Sequence, residues 1–283
     1  MKIVVTGANG QLGSEIKRLA NNQATHQFIF TDREELDITK NEELVTFFSK
    51  ERPEIVINCA AYTQVDQAEI DQENATLLNI TAVENLSALS ARNRFFLAHI
   101  STDYVFDGKS HTPIKEDHSM APESFYGLSK ASGEVQMRLN ANHGAIIRTS
   151  WLYSSFGQNF VKTMLRLRKE KDTIRVVCDQ IGTPTYAADL ANFILMHLEE
   201  MYAVNGVETY HFSNSGVASW YDFAHAIFEI KNIPVDLIPI VTEEYPTLAP
   251  RPSFSVLDKT KISERFQSIP RHWKKALEDC LKR

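Results

Sequence analysis

Tyr126 and Lys130 stand four residues apart in FYGLSKASGE. On a helix, residues i and i+4 share one face, so the spacing predicts that the Lys130 ammonium sits beside the Tyr126 phenol. A free tyrosine titrates near about 10, and a neighbouring cation lowers that value by favouring the phenolate. Such a phenol can exchange a proton with a substrate oxygen near neutral pH. Upstream lie a glycine-rich opening, TGANGQLG, and the segment STDY. Together the three point to nicotinamide-dependent chemistry on a carbonyl or a secondary alcohol.

The glycines are Gly7, Gly10 and Gly13, spaced G-x-x-G-x-x-G after a first strand and at the opening of a helix. Glycine permits the tight turn and lets backbone approach a pyrophosphate, while the helix N-terminus attracts its charge. Asn9, Gln11 and Leu12 belong to the same cofactor-binding turn. Asp32 follows about 20 residues on, at the end of the second strand, where a carboxylate can hydrogen-bond the adenosine ribose. Adjacent Arg33 can instead neutralise a 2′-phosphate, so NADH and NADPH both stay open. Asp37 is placed either near the adenine or as the N-cap of the next helix. In Cys59-Ala60-Ala61-Tyr62 the small side chains either let backbone pass close to the cofactor ribose or simply pack a strand end. Val65 and Asp66 lie in a polar continuation suited to substrate or to capping a helix. At the end of the fourth strand Ser101 and Thr102 each offer a hydroxyl for the reacting oxygen, and only one should face the site because side chains alternate.

The elements that hold these residues alternate. Strands are expected at 2–6, 28–32, 54–60, 95–101, 145–149 and 174–178, with amphipathic helices at 12–21, 42–51, 75–91 and 129–140 between them. Alternation of this kind predicts an α/β fold with a doubly wound, Rossmann-like parallel sheet, whose strands are apolar on both faces. Beyond about residue 150 the pattern loosens and seven of the ten prolines fall between Pro184 and Pro270. The expected division is a nucleotide-binding domain over 1–150, completed by parts of 173–203, and a smaller mixed α/β substrate-binding region over 151–172 and 204–283.

Composition narrows the partners. With 283 residues, 43% of them hydrophobic, the chain can bury a large core. Its 30 Lys+Arg against 36 Asp+Glu are scattered, with a net charge of -6, so no basic footprint for nucleic acid is present. No apolar run approaches the roughly 18 residues of a membrane span, and MKIVVTG enters a strand pattern without signal-peptide features. Cys59, Cys178 and Cys280 have neither disulfide nor zinc spacing, and no His/Cys/Asp/Glu cluster has metal-ligand spacing. A reducing cytoplasm is the expected location. Oligomeric state stays open, a homodimer included.

The ordered segments TGANGQLG, NCAAYTQVDQAE, STDYVFDG, YGLSK, IIRTSWLY, NFVKTML, DQIGTPT and RPSFSVLD run through nearly the whole chain. In this order the chain resembles the extended short-chain dehydrogenase/reductase superfamily and, within it, the dTDP-4-dehydrorhamnose reductases. The resemblance implies hydride transfer from NADPH or NADH to carbon-4 of a dTDP-keto sugar. It maps the general acid to Tyr126, its lysine to Lys130 and the hydroxyl partner to Thr102. It also implies a sugar site lined by Asp103, Tyr104 and Trp151, with Asn159 and Arg251 toward the sugar and diphosphate; Tyr153 belongs either to that site or to the core. A 4,6-dehydratase would need an adjacent Asp-Glu pair after the threonine, and here Asp103 is followed by Tyr104. The remaining alternatives are a reductase or epimerase for another nucleotide sugar and a non-catalytic, cofactor-binding regulatory subunit such as the beta subunit of methionine adenosyltransferase.

Overall fold

Runs such as KIVVT and EIVIN carry apolar residues at every position, so each must be covered on both faces. The computed structural model, which describes residues 1–21 and 25–283, meets this demand with helices above and below one sheet. The first half runs β1 (Lys2–Thr6), α1 (Gln11–Ala20), β2 (Gln27–Thr31), α2 (Asn41–Glu51) and β3 (Ile55–Asn58). Two short helices follow, α3 (Val65–Ala68) and α4 (Gln72–Thr76), and a π-helical turn (Leu77–Thr81) leads into α5 (Ala82–Asn93). Next come β4 (Phe96–Thr102), α6 (Phe125–Asn140), β5 (His143–Thr149), β6 (Leu152–Tyr153) and α7 (Phe160–Glu170). The last part contains β7 (Thr173–Val177), β8 (Ile181–Gly182), β9 (Thr185–Tyr186), α8 (Ala187–Tyr202), β10 (Gly206–His211) and β11 (Ala218–Ser219). It ends with α9 (Trp220–Lys231), β12 (Asp236–Ile240), α10 (Thr260–Phe266) and α11 (Trp273–Leu281).

Six parallel strands form the central sheet in the order β10-β5-β4-β3-β1-β2. Alternate residues of one strand enter opposite cores. Ile3, Val5, Ile55, Ile57 and Phe96 pack with Leu190 and Ile194 of α8, whereas Val4, Val56 and Leu97 pack with Phe48 of α2 and Leu86 of α5. The chain leaves β1 toward β2 and returns on the other side as β3, so the crevice at the carboxyl ends of β1 and β3 is the topological switch point where such sheets bind ligands.

One strand sits elsewhere than the pattern predicts. The run near Ile174 pairs with β12 in a separate parallel ribbon, and β10, from the segment expected in the substrate region, completes the central sheet beside β5. The reason is legible in burial: β7 alternates exposed and buried residues (Thr173 and Arg175 out, Ile174 and Val176 in), which suits a half-covered ribbon and not a doubly covered sheet. This ribbon, α7, α9 and α11 enclose their own core around Tyr153, Met164, Ile174, Phe223, Ile227 and Leu277.

Candidate active site

The turn after β1 is shaped by close approach. Gly7 has φ +64, and a Cβ there would lie 2.6 Å from the backbone nitrogen of Ala60. A Cβ on Gly13 would lie 2.3 Å from the Gly7 carbonyl oxygen. Glycine is therefore required for β1, the loop after β3 and α1 to meet. Gly10 is the N-cap of α1 without a side-chain cap, and the first turn holds no acidic residue. Gly10, Gln11, Leu12 and Gly13 line a cleft of about 580 Å³ together with Cys59, Ala61, Thr102, Tyr126 and Lys130. Uncapped N–H groups at a helix start, held against glycine backbone, can take a dinucleotide pyrophosphate.

Asp32 organises the same turn, its Oδ2 accepting from the Asn9 N–H and its Oδ1 from the Arg33 N–H, each at 2.8 Å. Arg33 is exposed beside it. Asp37 is not the N-cap of α2, which is Lys40. Its carboxylate instead folds onto Thr39, accepting from the Thr39 hydroxyl at 2.7 Å and the Thr39 N–H at 3.1 Å. Burial alone lifts the Asp37 carboxyl, but those hydrogen bonds and the charges of Arg33 and Lys40 bring it below the ordinary carboxylate range. Tyr62 is tied by its backbone to Asn79, on the π-helical turn, whose amide also donates to the Ser129 hydroxyl.

Ser124 caps α6 by accepting from the Gly127 N–H at 3.1 Å, so the helix starts at Phe125 and places Tyr126 in its first turn with Lys130 one turn on. Both are buried, Tyr126 8% and Lys130 2% exposed. At the end of β4 the alternation resolves the two hydroxyls: Ser101 donates to Glu134 Oε1 at 2.6 Å, inside a buried cluster in which Arg148 holds both Glu134 oxygens. Thr102 lines the cleft with Tyr126, and its hydroxyl donates to Asp103 Oδ1 at 2.9 Å and accepts from the Tyr104 N–H at 3.2 Å.

The ionisation expected from the spacing is corrected by the surroundings. Burial raises the Tyr126 phenol above its usual value, opposed by the Thr102 hydroxyl and reinforced by Asp103 and Tyr104. Lys130 does not point its charge at the phenol: Nζ donates to the Ile100 carbonyl at 2.7 Å and lies 3.2 Å from His99 Nε2. Burial lowers the Lys130 ammonium to about 8, against Glu134 and Cys59, which raise it. Burial also lifts Asp103 to about 6, opposed by the hydrogen bond from Thr102.

On the far side of the cleft, Val65 lines both this cavity and an adjoining one of about 660 Å³ that also holds Asp66, Tyr104 and Arg251. Asp66 accepts from Arg251 Nη2 and from the Ala249 N–H, so the arginine is held over the second cavity by an ion pair. Trp151 has φ +48 and stacks on Trp220 with ring centroids 3.6 Å apart and planes 7° from parallel. A backbone in this region is costly for a bulky residue and concentrates at ligand sites. Asn159 is the N-cap of α7, and its amide reaches Gln11 Oε1 at 3.0 Å. Tyr153, by contrast, is core, stacked on Tyr186 and 1% exposed.

Trp220, Gly157 and Gln158 also line the cleft and were not singled out in the sequence. For Trp220 the available signal was Ser219-x-x-Asp222, a capping pair that fixes the start of α9 and so aims its first residue at the sheet edge. Among the described residues no helix is long and apolar enough to cross a membrane.

Known proteins resemble this chain over its whole length. A dTDP-4-dehydrorhamnose reductase from Aggregatibacter actinomycetemcomitans is 40% identical, covering 98% of this chain and 97% of its own. The crystal structure of a dTDP-4-dehydrorhamnose reductase from Clostridium acetobutylicum superposes with a TM-score of 0.95 at 41% identity, over 100% of this chain and 99% of that one. A dTDP-4-dehydrorhamnose reductase from Bacillus anthracis, solved in complex with NADP, superposes with a TM-score of 0.94 at 39% identity, over 99% and 98% of the two chains. The model of the RmlD substrate binding domain family matches residues 1–283, and the chain belongs to that family.

Proposed function

We propose that this chain reduces the 4-keto group of dTDP-4-dehydro-L-rhamnose with NADPH or NADH, giving dTDP-L-rhamnose for cell-surface polysaccharide synthesis. The observation that carries the reading is the convergence of Thr102, Tyr126 and Lys130 on one cleft with the glycine turn of α1. Full-length relatives at about 40% identity bearing the reductase name support the substrate.

When bound, the reduced nicotinamide supplies the hydride. As negative charge grows on the former carbonyl oxygen, Tyr126 gives it the phenolic proton. A phenol raised by burial holds that proton until an oxyanion demands it. Thr102 gives a second hydrogen bond, transferring its donor from Asp103 to the substrate oxygen. Lys130 would hold the nicotinamide ribose, and its ammonium, on turning from the Ile100 carbonyl, would stabilise the phenolate left behind. Gly7, Asn9, Gly10, Gln11 and Leu12 hold the pyrophosphate. Asp32, Arg33 and Asp37 form the adenosine side, and Cys59, Ala60, Ala61 and Tyr62 the wall beneath the ribose. Val65, Asp103, Tyr104, Trp151 and Asn159 shape the sugar site, while Arg251, oriented by Asp66, takes the diphosphate.

We place residues 1–150 with α8 and β10 in the nucleotide-binding layer and the α7, β7, β12, α9 and α11 assembly in the substrate region. Three free cysteines and a need for reduced nicotinamide suit the cytoplasm. A homodimer is compatible with the reading. The test is the fall in reduced-nicotinamide absorbance with enzymatically generated dTDP-4-dehydro-L-rhamnose. Rapid oxidation supports the reductase, and tight nucleotide binding without oxidation favours a regulatory subunit.

A further inference from the structure

A buried polar chain crosses the sheet beneath the cleft. Thr6 on β1, Asn58 on β3 and His99 on β4 are lateral neighbours in register, at 1%, 1% and 0% exposure. The Thr6 hydroxyl donates to Asn58 Oδ1 at 2.7 Å, the Asn58 Nδ2 contacts His99 Nδ1 at 3.1 Å, and His99 Nε2 lies 3.2 Å from Lys130 Nζ.

The direction of this chain is fixed at one end. The backbone N–H of Ala60 can only donate, and it meets Asn58 Oδ1 at 3.2 Å. That sets the amide, so Nδ2, a donor, faces His99 Nδ1. In a neutral imidazole one nitrogen carries the proton and the other accepts. With Nδ1 accepting from Asn58, the proton resides on Nε2, and an N–H faces Lys130. An ammonium has no lone pair to meet that N–H, whereas a free amine does. The amine can keep one N–H on the Ile100 carbonyl at 2.7 Å while its lone pair takes the His99 proton donor.

We propose that Thr6, Asn58 and His99 form a tautomer lock, and that Asn58 and His99 are positioning residues that loosen the hold of Lys130 on its third proton, so that the ammonium is given up more readily than it would be beside a ring acceptor. Other groups act on Lys130 as well: Glu134 from its own helix and Cys59 from the end of β3 favour the charge, and burial opposes it. Burial, and then the Lys130 charge, hold the His99 imidazole well below its usual value, which keeps the ring neutral and the tautomer meaningful. The assignment of a role to Lys130 rests on the proposed reductase reading, but the lock itself is a property of the unliganded chain.

Nitrogen NMR of the full chain with labelled histidine tests it directly, with His99 assigned by the resonance lost in His99→Gln. The expected result is a neutral ring protonated at Nε2 across neutral pH. A ring protonated at Nδ1, or an imidazolium, overturns the lock. In Asn58→Leu, which adds no charge, the ring is free to turn a lone pair toward the ammonium. The Lys130 titration, followed by NMR of labelled lysine, should then move up by about one pH unit; a titration that does not rise overturns the proposal. If that variant fails to fold, the tautomer of the unaltered protein still decides. Neither readout uses turnover, so failure of the lock and failure of the reductase reading are distinguishable.

Discussion

Tyr126 and Lys130 lie one turn apart on the buried face of α6, yet the lysine Nζ is bound to the Ile100 carbonyl and His99 and not to the phenol. Its ammonium is held less firmly than that of an exposed lysine, lowered by burial to about 8, while the phenol is raised. Below about 8 Lys130 carries the charge proposed to hold ribose and phenolate, and above it the charge is lost. We expect kcat/KM, which reports the free enzyme, to fall as pH rises through about 8. A profile flat to pH 10 would remove the lysine charge from the mechanism.

Replacing Tyr126 by Phe leaves the ring and its edge-to-face contact with Tyr104 in place and removes only the proton. General acid catalysis is worth about 10²–10⁴-fold, so kcat should fall by that factor while NADPH affinity, measured by calorimetry, stays within about twofold. A kcat within tenfold of the unaltered protein assigns the proton to another donor.

Gly13→Ala drives a methyl to 2.3 Å from the Gly7 carbonyl and 2.6 Å from the Ala8 Cα, both backbone atoms that cannot yield without moving the turn. Overpacking of this kind costs about 1–3 kcal/mol. The melting temperature should drop and the Kd for NADPH should rise tenfold or more, with the KM for the sugar nucleotide changed less. Equal losses for both ligands would mean global unfolding and not a displaced pyrophosphate turn.

What was legible in the sequence is what short range dictates. The i, i+4 pair, the glycine spacing and the doubly apolar strands each encode their geometry within a few residues, and the cleft lined by Gly10, Thr102, Tyr126 and Lys130 lies at the strand ends they predict. Less legible were contacts between residues distant along the chain. The Ile174 strand joins β12, and β10 takes the sheet edge, because edge pairing is decided by which segment arrives there and not by its own pattern. Trp220 reaches Trp151 only through the folded substrate region. The lowered Lys130 charge is likewise invisible locally, since burial comes from the whole sheet.

Arg251 and Asp66 are separated by most of the chain and joined by an ion pair at the rim of the second cavity. Arg251→Ala removes a charge-assisted contact worth about 1.5–3 kcal/mol, so KM for the sugar nucleotide should rise about 10–100-fold. Because the contact is equal in ground and transition states, kcat should hold. A kcat that falls in parallel would place Arg251 at the reacting sugar.

Trp151 holds a left-handed backbone, φ +48, that its indole stack on Trp220 must maintain. Such a conformation costs of order 1–3 kcal/mol, and Gly182 makes room for the ring, since a Cβ there would lie 2.5 Å from Trp151 Cε2. Trp220→Ala removes the partner while leaving Trp151 in the cleft. The strained turn should relax, misplacing the indole against the sugar and lowering kcat/KM about tenfold or more, with NADPH affinity changed less because the Trp220 ring packs on Trp151, Phe160 and Phe223. Trp151→Gly separates strain from contact. Glycine adopts φ +48 freely, so the variant should lose sugar affinity with only a small fall in thermal stability, relief of strain offsetting part of the lost stack. A Trp151→Gly protein that melts well below the unaltered chain would show that the stack stabilises the fold more than the strain costs, and that the indole is held there for packing and not for the substrate.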